Sequence, residues 1–167
     1  GDSLTAEGYP RMLRQALRED GVRARVLNEG RSGHTTREYL KYLRGAEARL
    51  RAASPDIILL QLGTNDVRFD GDRTELPEFV ANLREIVGIF ARFRNRAGRP
   101  SVLLLATVPP VPETAPFPFL PESGRRVAEE INPAIRSLAA EAKLPLVDNY
   151  ALFAAAPDLL PDVHPSP

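Results

Sequence analysis

Short apolar runs alternate with charged, helix-periodic stretches along this chain. Four runs are apolar over most of their length: residues 24–28 (ARVLN), 56–63 (DIILLQLG), 101–108 (SVLLLATV) and 144–149 (LPLVDN). Continuous branched runs this short fit parallel strands covered on both faces. Between them apolar positions recur every three or four residues, the period of a helix with one buried stripe. Met12, Leu13, Ala16 and Leu17 make the first stripe, with Gly21 as its stop. Tyr39, Leu40, Leu43, Ala46 and Leu50 make the second, ended by Ser54 and Pro55. Phe79, Val80, Leu83, Ile86, Val87 and Phe90 make the third, ended near Gly98. Val127, Ile131, Ile135 and Leu138 make a fourth, in which Pro133 predicts a kink. Strand and helix alternating four times predict an α/β layered fold with right-handed crossovers. With no internal repeat and no linker, the pattern predicts one domain over residues 1–167.

Composition narrows the partners more than the fold. A chain of 167 residues with 43% apolar content can build one core. Lys and Arg total 22, as do Asp and Glu, so the net charge is zero. Nucleic acid and anionic membrane surfaces reward a basic excess, so neither is expected as the main partner. The absence of cysteine excludes disulfides and thiolate chemistry. No apolar run approaches the ~18 residues of a membrane-spanning helix, so stable membrane insertion is not expected. No signal peptide is visible. Compartment and oligomeric state are left open.

Residues 108–121 (VPPVPETAPFPFLP) stand apart, with six prolines and two phenylalanines between a strand and a helix. They read either as a stiff surface connection or as a wall of a substrate pocket. Open α/β sheets bind ligands beyond the C-terminal ends of their strands, where this segment starts.

Chemistry-bearing residues are few. Only His34 and His164 could act as a general base near neutral pH. His164, in LLPDVHPSP, lies outside any helix and reads as presented rather than packed. Asp162 is two residues before it; in extended chain the two share a face, with Cα atoms roughly 6.5 Å apart. His34 reads as a loop residue before a helix capped by Thr35 or Thr36. Two distant histidines without metal-ligand spacing do not suggest a metal site. GRSGH falls short of the G-x-S-x-G elbow at His34, which disfavours Ser32 as a nucleophile. Gly33, in a tight loop, could turn its N–H into a cavity. In GTND, Gly63 permits an unusual backbone angle, Asn65 offers an amide donor and Asp66 an acceptor. That group also fits a simple Asx turn. No phosphate-binding glycine loop is present, which weakens a nucleotide-binding reading.

Taken in order, GDSLT at residues 1–5, GRSGHTT near 30, GTND after the second apolar run and DVHP at the end resemble the GDSL, or SGNH, family of esterases and lipases. The four blocks span nearly the whole chain. The resemblance implies a three-layer α/β/α, flavodoxin-like hydrolase acting on a small-molecule ester without metal or organic cofactor. Ser3 would be the nucleophile and His164 its base. The oxyanion would be held by the N–H groups of Ser3 and Gly33 and the Asn65 amide. The family's acid usually stands three residues before the histidine, where this chain has Pro161. Asp162 is therefore the expected triad acid, with Asp158 or a Ser–His dyad as alternatives. In the family a strand leads into the GDS block and a helix follows the histidine; neither is found here, so a domain trimmed at both ends is expected. Serine-dependent hydrolysis of small or medium acyl, acetyl or aryl esters is the leading function. The alternative is a non-catalytic ligand-binding module on the same fold.

Overall fold

The computed structural model describes residues 1–160 and 163–164. Its helices are α1 (Pro10–Glu19), α2 (Thr36–Ala52), α3 (Leu76–Phe90), α4 (Pro121–Arg126), α5 (Asn132–Glu141) and α6 (Asn149–Ala154). Its strands are β1 (Ile57–Gln61), β2 (Val102–Ala106) and β3 (Leu146–Val147). They form one parallel sheet in the order β1-β2-β3. Ile57 stands opposite Val102, and Leu105 opposite Leu146. The architecture is α/β, a parallel sheet with helices packed against it, as the alternating pattern predicts.

Side-chain alternation explains the core. Leu60, Leu103 and Leu105 point to one face and are buried with Leu43 of α2, Phe79 and Ile86 of α3, and Ile135 of α5. Each such side chain contributes about 1.5–3 kcal/mol by leaving water. Ile57, Leu59 and Val102 point to the other face and remain exposed. The expectation of strands buried on both faces therefore holds for only one face of this sheet.

Local chemistry sets the helix boundaries. Thr35 caps α2 by accepting from the Glu38 N–H, while the Glu38 carboxylate reaches back to the Thr35 N–H at 2.9 Å. Two donors that α2 cannot satisfy internally are thereby met. Residues 121–141 run as one helical stretch, but hydrogen bonding widens to a π-helical turn over Val127–Ile131, just before Pro133. Proline lacks an N–H and its ring crowds the carbonyl four residues back, so the chain relieves it with the wider turn. The expected kink takes this form.

Two expectations about strands need correction. Residues 24–28 form no strand. A strand exists only through a partner ladder, and this segment is held by side chains instead. Arg14 donates to the Val26 carbonyl at 3.0 Å, and Asn28 Nδ2 donates to the Ala6 carbonyl at 2.8 Å. The last strand shrinks from 144–149 to Leu146–Val147 because Pro145 cannot donate to a ladder and Asp148 already caps α6.

Candidate active site

Three loops converge beyond the C-terminal end of β1. The first carries Ser3, immediately before a π-helical turn over Leu4–Gly8. The Asp2 carbonyl accepts from Thr5 at 3.2 Å and Ala6 at 2.8 Å, and the Asp2 carboxylate accepts from the Leu4 N–H at 3.1 Å. This fixes the backbone on both sides of the serine. A Cβ at Gly30 would lie 2.2 Å from the Ala6 nitrogen, so only glycine lets residues 28–31 pass so close behind the turn. The Arg31 N–H then donates to the Gly1 carbonyl at 2.8 Å. Asp2 is fully buried, and that burial pushes its carboxyl up to about 6.

His164 meets the serine from the far end of the chain. Its Nε2 lies 3.0 Å from Ser3 Oγ, across 161 sequence positions. A neutral imidazole at that distance can accept the hydroxyl proton. Asp162 lies outside the described residues. Asp158, the alternative acid, sits on an exposed 3-10 turn, Pro157–Leu159.

The second loop carries Gly33 with φ +78°, a left-handed conformation. The third carries Gly63 with φ +128°, where a Cβ would approach Val108 to 2.9 Å. Glycine thus lets β1 turn sharply into Asn65–Val67, a 3-10 turn. Asn65 Nδ2 donates to the His34 carbonyl at 3.1 Å. An amide nitrogen has two hydrogens, so a second remains for another acceptor. Among the described residues, no acceptor engages the backbone N–H of Ser3 or of Gly33. The arrangement offers a hydroxyl, an imidazole and three hydrogen-bond donors on neighbouring loops.

The local Asx-turn reading of GTND is replaced by contacts across the fold. The buried Asp66 carboxylate turns to Thr36, at the start of α2, rather than to its own loop. Burial pushes this carboxyl up, and the Thr36 hydrogen bonds oppose that push. The sequence also gave no sign of Arg126, buried 60 positions away, whose guanidinium donates to the Asp66 carbonyl at 3.2 Å. The doublet Thr35-Thr36 before Glu38 was the available signal for the helix start that Asp66 grips.

Residues 108–121 run beside this loop cluster. The Phe69 N–H donates to the Pro118 carbonyl at 2.9 Å, and Ser123 Oγ donates to the Val67 carbonyl at 2.8 Å. Val111 and Phe119 are buried, while Phe117 is 71% exposed. His34 keeps its ring out of this cluster, edge-on to Tyr42 with centroids 6.4 Å apart. Among the described residues no group of acidic or histidine side chains could hold a metal ion. No helix among them is long and apolar enough to cross a membrane.

The model of the GDSL-like Lipase/Acylhydrolase family matches residues 1–167. No curated protein matches the chain. Among solved structures, an α/β hydrolase enzyme from the metagenome of Lake Arreo, Spain, is similar with a TM-score of 0.78 at 21% identity, covering 99% of this chain and 85% of its own. AlinE4, an SGNH-hydrolase family esterase, is similar with a TM-score of 0.66 at 27% identity, covering 100% of this chain and 82% of its own. An acetylxylan esterase from Geobacillus stearothermophilus is similar with a TM-score of 0.69 at 24% identity, covering 97% of this chain and 74% of its own.

Proposed function

The chain belongs to the GDSL-like lipase/acylhydrolase family, a family of ester hydrolases, and from that premise we propose that it cleaves carboxylic esters through an acyl-enzyme on Ser3. The observation that carries this reading is the 3.0 Å contact between Ser3 Oγ and His164 Nε2. A serine hydroxyl is a weak nucleophile until a base takes its proton. His164 Nε2 takes that proton as Oγ attacks the ester carbonyl. It then returns the proton to the leaving alkoxide, and the C–O bond to the alcohol breaks. Water, deprotonated by the same imidazole, attacks the acyl-serine; the bond between the acyl carbon and Oγ breaks, the imidazolium returns its proton to Oγ, and the carboxylic acid leaves. In both half-reactions the carbonyl oxygen becomes an oxyanion. The Ser3 and Gly33 N–H groups and the second Asn65 amide hydrogen are assigned to it, since fixed donors at about 2.7–3.1 Å stabilise that charge most. Asp162 is proposed as the triad acid, whose role is to fix the imidazole tautomer and stabilise the developing cation.

The acyl group is expected to be small or medium: acetyl, short alkanoyl or aryl. The likeness to an acetylxylan esterase makes acetyl the first to test. The exposed Phe117, on the segment joined to the loop after Asn65, extends the panel to longer chains. The test is steady-state turnover of p-nitrophenyl esters from acetate to decanoate by wild type and Ser3→Ala. The wild type is expected to turn over at least one ester, with the variant slower by several orders of magnitude. Equal rates for the two proteins would overturn the mechanism, and no turnover by either would favour a ligand-binding module on the same fold.

A further inference from the structure

Oxyanion stabilisation by donors on separate loops works only if the loops keep their spacing. A displacement of about 1 Å near the reacting atoms can cost roughly 10²-fold in rate. Gly33 and Asn65 stand on loops more than thirty positions apart in sequence, and three links join them. One is the Asn65 Nδ2 bond to the His34 carbonyl, which belongs to the assigned donor itself. A second is the Arg68 Nη1 bond to the Gly33 carbonyl, long at 3.4 Å. The third uses Asp66. Its carboxylate oxygens accept from the Thr36 N–H at 3.1 and 3.0 Å, and Oδ1 accepts from Thr36 Oγ1 at 2.6 Å. Asp66 is adjacent to Asn65, and Thr36 is three residues beyond Gly33.

The anchoring continues behind Asp66. Its carbonyl accepts from Arg126 at 3.2 Å and from the Thr74 N–H at 3.1 Å. Arg126 also donates to the Thr74 carbonyl at 3.0 Å and pairs with Glu130 at 3.1 Å. The Asp66 backbone is thus held from α4 while its side chain reaches forward to α2. Asp66 and Thr36 are both fully buried. Taking a carboxylate out of water is costly unless donors compensate it, and a surface turn could use an exposed asparagine or aspartate instead. Here the compensation comes from a group on the neighbouring loop, so one contact satisfies the carboxylate and sets the distance between the loops.

We propose that Asp66 is a positioning residue for ester hydrolysis, locking the Gly33 loop to the Asn65 loop through Thr36 so that their two donors stay in register. This rests on the assignment of Gly33 and Asn65 to the oxyanion. Asp66 itself touches neither substrate nor the reacting atoms.

The test combines Asp66→Asn, Thr36→Val, Thr36→Ser, Asn65→Ala and the Asp66→Asn/Asn65→Ala double variant. Each is assayed for kcat and KM on p-nitrophenyl acetate below its unfolding transition, with stability followed in urea. Asp66→Asn is expected to lower kcat by roughly 10–100-fold while KM moves less than about threefold, the pattern of a lost transition-state interaction. Thr36→Val, which keeps the backbone N–H but loses the hydroxyl, should fall between, and Thr36→Ser should retain wild-type kcat. In the Asn65→Ala background, Asp66→Asn should cost less than about threefold more, because the donor it positions is gone. Wild-type kcat in Asp66→Asn and Thr36→Val with only a lower urea midpoint would overturn the proposal. Fully multiplicative losses in the double variant would also overturn it. Wild-type kcat in Asn65→Ala would instead overturn the oxyanion assignment beneath it. If Asp66→Asn does not fold, the Thr36 pair decides: loss in valine with recovery in serine supports the lock, and equal kcat in both overturns it.

Discussion

Replacing Asn65 by alanine removes two interactions that can be measured separately. One amide hydrogen is engaged by the His34 carbonyl at 3.1 Å. The other is assigned to the oxyanion. Asn65 is only 6% exposed, so water does not readily replace either. Losing an oxyanion donor costs about 10²–10³ in kcat, or ~2.7–4 kcal/mol of transition-state stabilisation. Leaving the His34 carbonyl without its donor costs about 1–3 kcal/mol of folding stability. The first loss appears in kcat and the second in the urea midpoint. Asn65→Asp sharpens the contrast: it keeps the shape but sets a carboxylate oxygen against both the His34 carbonyl and the oxyanion. Its kcat should therefore fall at least as far as that of alanine. The assay is p-nitrophenyl acetate turnover at temperatures where each variant is folded, alongside urea unfolding. An Asn65→Ala enzyme with kcat within threefold of wild type and a lowered midpoint would refute the reasoning and reduce Asn65 to a tie between loops.

Two further perturbations test neighbouring parts of the site. Gly33→Ala should lose roughly 1–2 kcal/mol of stability from its φ of +78° rather than from a clash, since the nearest atom to a new Cβ is Arg68 Nη1 at 4.0 Å. Its kcat should fall as the N–H tilts, and an alanine variant with wild-type kcat would remove Gly33 from the oxyanion assignment. For Asp2, burial raises the folded carboxyl from 3.8 to about 6. The unfolded chain therefore ionises first, the folded state holds the extra proton, and stability falls as pH rises from about 4 to about 6. The shift corresponds to a change on the order of 3 kcal/mol. The buried Gly1 ammonium, pushed down to about 5, acts in the opposite sense from about pH 5 upward, so the Asp2 contribution is read as a difference. In urea unfolding across pH 4–7, Asp2→Asn should gain stability relative to wild type as pH rises; parallel curves would contradict it.

The strands most legible in the sequence were those whose apolar runs had partners. Residues 56–63 and 101–108 pair with each other through β1 and β2, while the similar run at 24–28 has no ladder and stays irregular. Composition describes a strand's side chains but not its neighbour. Pro133 marked a disturbance in the helix correctly, though not that a π-helical turn would absorb it. At the site, the family was legible because the blocks that carry Ser3, Gly33, Asn65 and His164 occur in a fixed order. The structure brings Ser3 and His164 into contact and Asn65 onto the carbonyl next to Gly33. Asp66 and Arg126 were not legible as a pair with Thr36, because their bonds cross 30 and 60 positions and an ordinary Asp or Arg carries no mark of burial. The same holds for Asp2, whose neighbours in sequence do not show that it is fully enclosed.

The central claim, that Ser3 is the nucleophile activated by His164, is tested most directly by labelling with a fluorophosphonate and mapping the adduct by mass spectrometry. The account predicts one adduct per chain, on Ser3, formed in step with loss of esterase activity and strongly slowed in His164→Ala. An adduct on another residue, or full inactivation with Ser3 unmodified, would contradict it.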